Sequence, residues 1–195
     1  MDAENGLDGA DGENGQGDES GQRDDRIVAD IHEALRRAVD ELASANARDE
    51  ALARFVPARR VLLFTKEPVM EPVGRVWRLG VLLLDREAGL YATGSITRSI
   101  EPGRAAYQSV SAEVRRGYRA AAFRSHFEPG ETVNYDASPI ELDAGALRSG
   151  SGPLFIRDGA AWVRWSLSAP ADAATEFGQY LADRVGLLVN PPAGA

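Results

Sequence analysis

The chain has no cysteine. That excludes disulfides, thiolate zinc sites, iron–sulfur clusters and cysteine nucleophiles. It has one lysine, Lys66, among 22 basic residues, a bias that reads as the codon usage of a GC-rich genome. A Ser-x-x-Lys nucleophile would need serine three residues before that lysine, and Leu63 stands there. The two histidines, His32 and His126, are too few and too far apart for a metal site. His32-Glu33 opens like a zinc-protease motif, but Arg36 occupies the position of the second histidine. No glycine-rich nucleotide loop and no GxSxG elbow occurs. No cofactor and no metal is expected. The longest pure aliphatic run, Val81-Leu82-Leu83-Leu84, falls far short of the roughly 20 residues that span a bilayer. The N-terminus lacks the basic and apolar regions of a signal peptide. A cytoplasmic protein with no membrane association is expected.

What is present divides unevenly. The net charge is -8. Residues 1–25 hold nine acids and one base, Arg23, which leaves twenty-one acids and twenty-one bases for the rest. The acidity therefore belongs to the tail, and the remainder is formally neutral. Residues 1–24 are rich in Gly, Asp, Glu and Asn. They offer too little apolar surface to offset backbone entropy, so a disordered acidic tail is expected there. Such a tail either solubilises the chain or covers a basic surface in cis. Residues 25–195 are expected to form a single α+β domain around one apolar interior.

Within that domain Ile27, Ile31, Leu35, Val39 and Leu42 recur at helical spacing, and Asp24 or Asp25 suits the helix start. A short helix is expected over Arg48 to Phe55, ended by Pro57. Strands follow at Val61 to Phe64, Gly74 to Leu84 and Leu90 to Thr97, with Pro68 and Pro72 marking a connector. A helix from Ser111 to about His126, strands at Thr132 to Tyr135 and Ile140 to Leu142, and a flexible loop at Ser149 to Gly152 come next. A hairpin spans Leu154 to Trp165, turning at Asp158-Gly159. Ser168 caps a last helix carrying Ala174, Phe177, Leu181 and Val185. Short turns between strands imply a mainly antiparallel sheet of hairpins packed with N-terminal, central and C-terminal helices. A doubly wound sheet does not fit this spacing.

The densest polar stretch runs from Thr93 to Glu131. Arg115 and Arg119 lie four apart on one helical face, while Arg98 and Arg104 flank the turn before it. Guanidiniums hold carboxylate and phosphate in bidentate fashion. Arg98, Arg104, Ser109, Ser111, Arg115 and Arg119 therefore form a candidate anion-binding set, set against the plainer reading of a solvated arginine face. Ser109, Ser111 or Thr97, with Glu113 or Tyr107, are the available nucleophile pairings, and Asp136 with Glu141 the available carboxylate pair. None of these is singled out as catalytic. Trp77, Trp162 and Trp165 fall on expected strands, and Trp162 and Trp165 should point to opposite faces, one into the core and one outward.

The stretch Met70-Glu71-Pro72-Val73-Gly74-Arg75-Val76-Trp77-Arg78-Leu79-Gly80-Val81, continuing to Tyr91-Ala92-Thr93-Gly94, resembles small actinobacterial proteins of unknown function. Gln108 to Glu113 and Val185 to Ala195 are similar to them as well. Some of those proteins carry the label glutaminase. The resemblance thus implies an amide hydrolase, although the serine–lysine pair of serine-dependent glutaminases is missing. The expected function is a non-enzymatic cytoplasmic binding or interaction protein with an anion-binding arginine surface. The alternative is a small-molecule hydrolase of the glutaminase kind. A small anionic ligand or a protein partner fits the first reading. A neutral domain argues against nucleic acid.

Overall fold

The computed structural model describes residues 13–61, 64–103, 109–166 and 170–192. The fold is α+β, with mostly antiparallel sheets and helices at the N-terminal, central and C-terminal positions. Helix α1 spans Glu13–Ser44, so it begins before the expected start at Asp25. Asp24 is not its cap. It lies within the helix, buried, with its carboxylate accepting from Arg148 Nε at 2.7 Å. The stripe read from the sequence is the buried face: Ile31, Leu35, Ala38 and Leu42 are sealed, and Ile27 and Val39 pack beside them.

The expected helix over Arg48 to Phe55 is instead strand β1, Glu50–Val56. Strands β2 (Arg59–Val61) and β3 (Phe64–Lys66) make a small hairpin in place of one strand. Strand β4, Val69–Leu79, runs straight through Pro72. Pro72 is tolerated because it sits at a bulge, where the pairing with β1 shifts between Leu52 and Ala53. The long strand read as Gly74 to Leu84 turns at Gly80, whose φ is 68°, and continues as β5, Leu82–Asp85. Then come β6 (Leu90–Ala92), β7 (Ser95–Arg98), helix α2 (Val110–Arg124), β8 (Thr132–Tyr135) and β9 (Ser138–Pro139).

These strands form one sheet in the order β7-β8-β1-β4-β5-β6-β9. Its two ends are joined through the chain. Strands β6 and β7 are consecutive, as are β8 and β9, and they pair in one unslipped register. Tyr91 faces Pro139 and Ala92 faces Ser138, then Ser95 faces Tyr135 and Arg98 faces Thr132. The sheet therefore closes on itself, apart from β7, which runs on past the end of β5 and pairs with β8 alone. All pairings are antiparallel except β1 with β8, which is parallel. The ladder bends at Gly94, where an added Cβ would lie 2.1 Å from the Asp136 carbonyl oxygen. Asp136 answers with a φ of 55°.

The rest of the chain supplies the second layer. Helix α3, Ala144–Ser149, ends where the expected loop Ser149 to Gly152 begins, sharing only Ser149 with it; Asp143 caps the helix by accepting from the Ala146 amide. Strands β10 (Leu154–Arg157) and β11 (Ala160–Val163) turn at Asp158-Gly159 as expected, both with positive φ. After a short 3-10 turn, strand β12 (Thr175–Glu176) completes this sheet and helix α4 runs Phe177–Val189. Helix α4 is capped by Glu176 and not from Ser168, which lies outside the described residues. Trp77 is core, Trp162 is half-buried, and Trp165 lies beyond β11, exposed.

The single interior expected from the sequence is divided. Helices α1 and α4 bury the largest cluster with Trp77, Leu79, Leu82 and Leu84, closed from the far side by Leu154, Ile156 and Val163. Helix α2 covers a second, where Ala121 and Ala122 meet Ala51, Ala53, Met70, Val133 and Tyr135. A third, Leu52, Val76 and Leu83 with Tyr91 and Ala137, lies on the opposite face, enclosed by the sheet. A closed sheet has two faces to bury, and the sequence alone did not reveal the closure. Gly94→Ala should cost about 1–3 kcal/mol, because its Cβ meets backbone that cannot give way. Gly74→Ala, with nothing within 4 Å, should stay within about 0.5 kcal/mol of the parent. Urea midpoints of the two variants check this.

Candidate functional site

The parallel pairing of β1 with β8 sets Glu50 beside the end of β8. Helix α2 then lies over β8 and β7, held by alanines small enough for close approach. Between α2 and the β7–β8 end is a cleft of about 410 Å³. Arg115, Tyr118 and Arg119 line it from the helix, and Ile96, Thr97 and Arg98 from β7. Glu50 from β1 and Thr132 and Tyr135 from β8 complete its lining. The volume lies within the range of small-molecule sites.

Most guanidiniums near the sheet are committed. Arg75 pairs with Asp49 at 2.7 Å and with Glu131; Arg86 reaches Asp49 at 3.1 Å and stacks over Trp77 at 5.2 Å. Arg78 donates to Glu50 at 3.3 Å and to Asn134 Oδ1. Among the described residues Arg98, Arg115 and Arg119 have no ion pair and no side-chain hydrogen bond. Three uncompensated cations on one concave surface repel one another and gain by taking an anion.

The acid in the cleft is occupied. Buried Asn134 donates through Nδ2 to Glu50 at 2.8 Å and to the Ala51 carbonyl at 3.1 Å, while Arg78 donates to its Oδ1. Both ends of the Asn134 amide are thus used, and Glu50 is fixed in place without being free to neutralise the three arginines. Tyr118 packs against Phe55 and Tyr135, both at 4.9 Å between ring centroids. Burial pushes the Tyr135 phenol above its ordinary value against the opposing hydrogen bond with Ser95, with the neighbouring Tyr118 and Asp136 adding to the rise. Tyr135 is therefore a neutral hydroxyl at physiological pH.

Of the six candidate residues, Arg98, Arg115 and Arg119 line the cleft. Arg104 lies outside the described residues. Ser109 and Ser111 do not line it; their hydroxyls bond each other at 3.2 Å, and Ser109 makes no side-chain cap. Glu113 faces Arg116 at 3.7 Å, Thr97 lines the cleft, and Tyr107 lies outside the described residues. Asp136 sits at the ladder's bend and Glu141 is exposed; neither lines the cleft. His126 follows α2 with a φ of 63°, and His32 is a half-buried residue of α1. Sequence reasoning missed Glu50, Thr132 and Tyr135. Each comes from a strand whose neighbour is distant in sequence. The alternation Val133-Asn134-Tyr135 was the only signal for any of them.

No protein-family model, curated protein or solved structure matches the chain. Among the described residues no group of His, Asp and Glu could hold a metal ion, and no helix is long and apolar enough to cross a membrane.

Next to the cleft, burial pushes the Asp49 carboxyl upward, but hydrogen bonds and charges from Arg75 and Arg86 outweigh it and hold the group below its ordinary value. A depressed carboxylate contributes stability that is present above its unfolded value, about 3.9, and lost as pH falls through the folded value. Asp49→Asn should therefore be less stable than the parent by a constant amount above about pH 5. The gap should shrink as pH falls through 4 and below, as read by urea denaturation across pH 2.5 to 7.

Proposed function

We propose that this chain is a non-enzymatic cytoplasmic binding protein whose cleft between α2 and β7–β8 holds an anionic group. The observation that carries the reading is the convergence of Arg98, Arg115 and Arg119, unpaired among the described residues, on one concavity. A guanidinium offers planar, bidentate donors to carboxylate or phosphate. The neutral Tyr135 hydroxyl adds a donor that does not compete as an anion. Glu50, held by Arg78 and Asn134, gives the site an edge against anions that present charge on every side.

Hydrolysis would need an activated nucleophile. Thr97 is a hydroxyl that lines the cleft, and the acid that lines it too, Glu50, is committed to Arg78 and Asn134. That commitment favours binding over an amide-hydrolase activity of the glutaminase kind. The absence of cysteine and of any long apolar helix among the described residues is consistent with the cytoplasm.

Inorganic phosphate titrated into the full chain should shift the amide signals of Thr97, Arg98, Arg115 and Arg119 in a saturable way. Arg115→Ala with Arg119→Ala should weaken that binding about tenfold or more, each lost charge-assisted bond costing about 1.5–3 kcal/mol. Glutamine incubated with the protein should release no ammonia above blank. Shifts that are non-saturating, or unchanged in the double variant, would remove the reading.

A further inference from the structure

Strand β7 is an unpaired edge of the sheet, and it is longer than β9, the two-residue strand at the other end of the order. It bonds β8 on one side, and no described strand lies on the other. The Ser99 amide donates to the Glu131 carbonyl at 2.9 Å. Alternation along an antiparallel ladder then directs the N–H and C=O of Thr97 toward β8, and those of Ile96 and Arg98 away from it. Exposed edges are templates for another strand, and proteins usually blunt them with proline, bulges or inward charges. Ser95–Arg98 has neither a proline nor a bulge. Ile96 is 54% exposed, and the three free arginines flank this edge.

We infer that the anion of the proposed site is carried by an extended acidic peptide, which adds a strand along the outer edge of β7 while its carboxylates meet Arg98, Arg115 and Arg119. The inference rests on the anion-binding reading and names its ligand class. Main-chain bonds to Ile96 and Arg98 supply affinity, and alternate side chains supply selectivity. An extended strand presents side chains to both sides, which suits arginines contributed by β7 on one hand and α2 on the other. A free phosphate would use the cations and leave the strand edge unused.

The test uses the full chain and a fluorescent ten-residue peptide of alternating aspartate and valine. Its partners are an asparagine–valine version, an aspartate–valine version N-methylated at alternate residues, inorganic phosphate, and a single-stranded oligonucleotide of equal charge. The acidic peptide should bind with an affinity that falls as salt rises. The neutral peptide, the N-methylated peptide and the Arg115→Ala, Arg119→Ala double variant should each lose about tenfold or more. Equal binding of the N-methylated peptide would overturn strand addition, as would tighter binding of the oligonucleotide. Arginine-dependent phosphate binding with no peptide binding would overturn this inference while leaving the anion site standing. If neither probe depends on the arginines, both fail. Circular dichroism of the double variant guards against loss of fold.

Discussion

The structure depends on one unslipped antiparallel ladder. From Leu90 with Ile140 to Ser99 with Glu131, two consecutive pairs of strands keep the same register through a bend. A one-residue slip would exchange every side chain between faces. Gly94 and Asp136 hold the bend: one has no Cβ to strike the opposite carbonyl, and the other takes a positive φ. Because the ladder holds, the ends of the sheet meet, and β8 is left to pair in parallel with β1.

The functional geometry follows from that closure. Parallel pairing delivers Glu50 to the end of β8, where Asn134 and Arg78 fix it. The outer face of β1 and β8 presents Ala51, Ala53 and Val133, flat enough for the alanine face of α2 to approach. The approach turns Arg115, Tyr118 and Arg119 toward β7. Carboxylates elsewhere are drawn to Arg75, Arg78 and Arg86, within or beside the sheet. The neutral charge balance of residues 26–195 thus conceals a local excess of cations at the cleft, where Arg98, Arg115 and Arg119 meet one committed acid, Glu50.

Much of this was legible where the signal is local. The stripe Ile31, Leu35 and Leu42 announced α1, and Asp158-Gly159 announced its hairpin. Arg115 and Arg119 could be placed on one helical face by spacing alone. What was hidden is long-range. Arg48 to Phe55 reads as helix because Ala, Leu and Arg favour helices; pairing of Glu50–Val56 on both edges, to β4 and to β8, overrides that preference. Pro72 reads as a break unless the bulge beside it is known. Glu50 meets Asn134 across 84 residues, a separation no local pattern encodes. Closure, and with it the division of the core into three clusters, depends on pairings of that kind.

Amide hydrogen exchange of the full chain, read residue by residue, tests the ladder most directly. The account predicts slow exchange at Thr97 and Ser99, whose amides point to β8, and fast exchange at Ile96 and Arg98, which face outward. Fast exchange at all four would contradict the ladder, and slow exchange at all four would contradict its open edge.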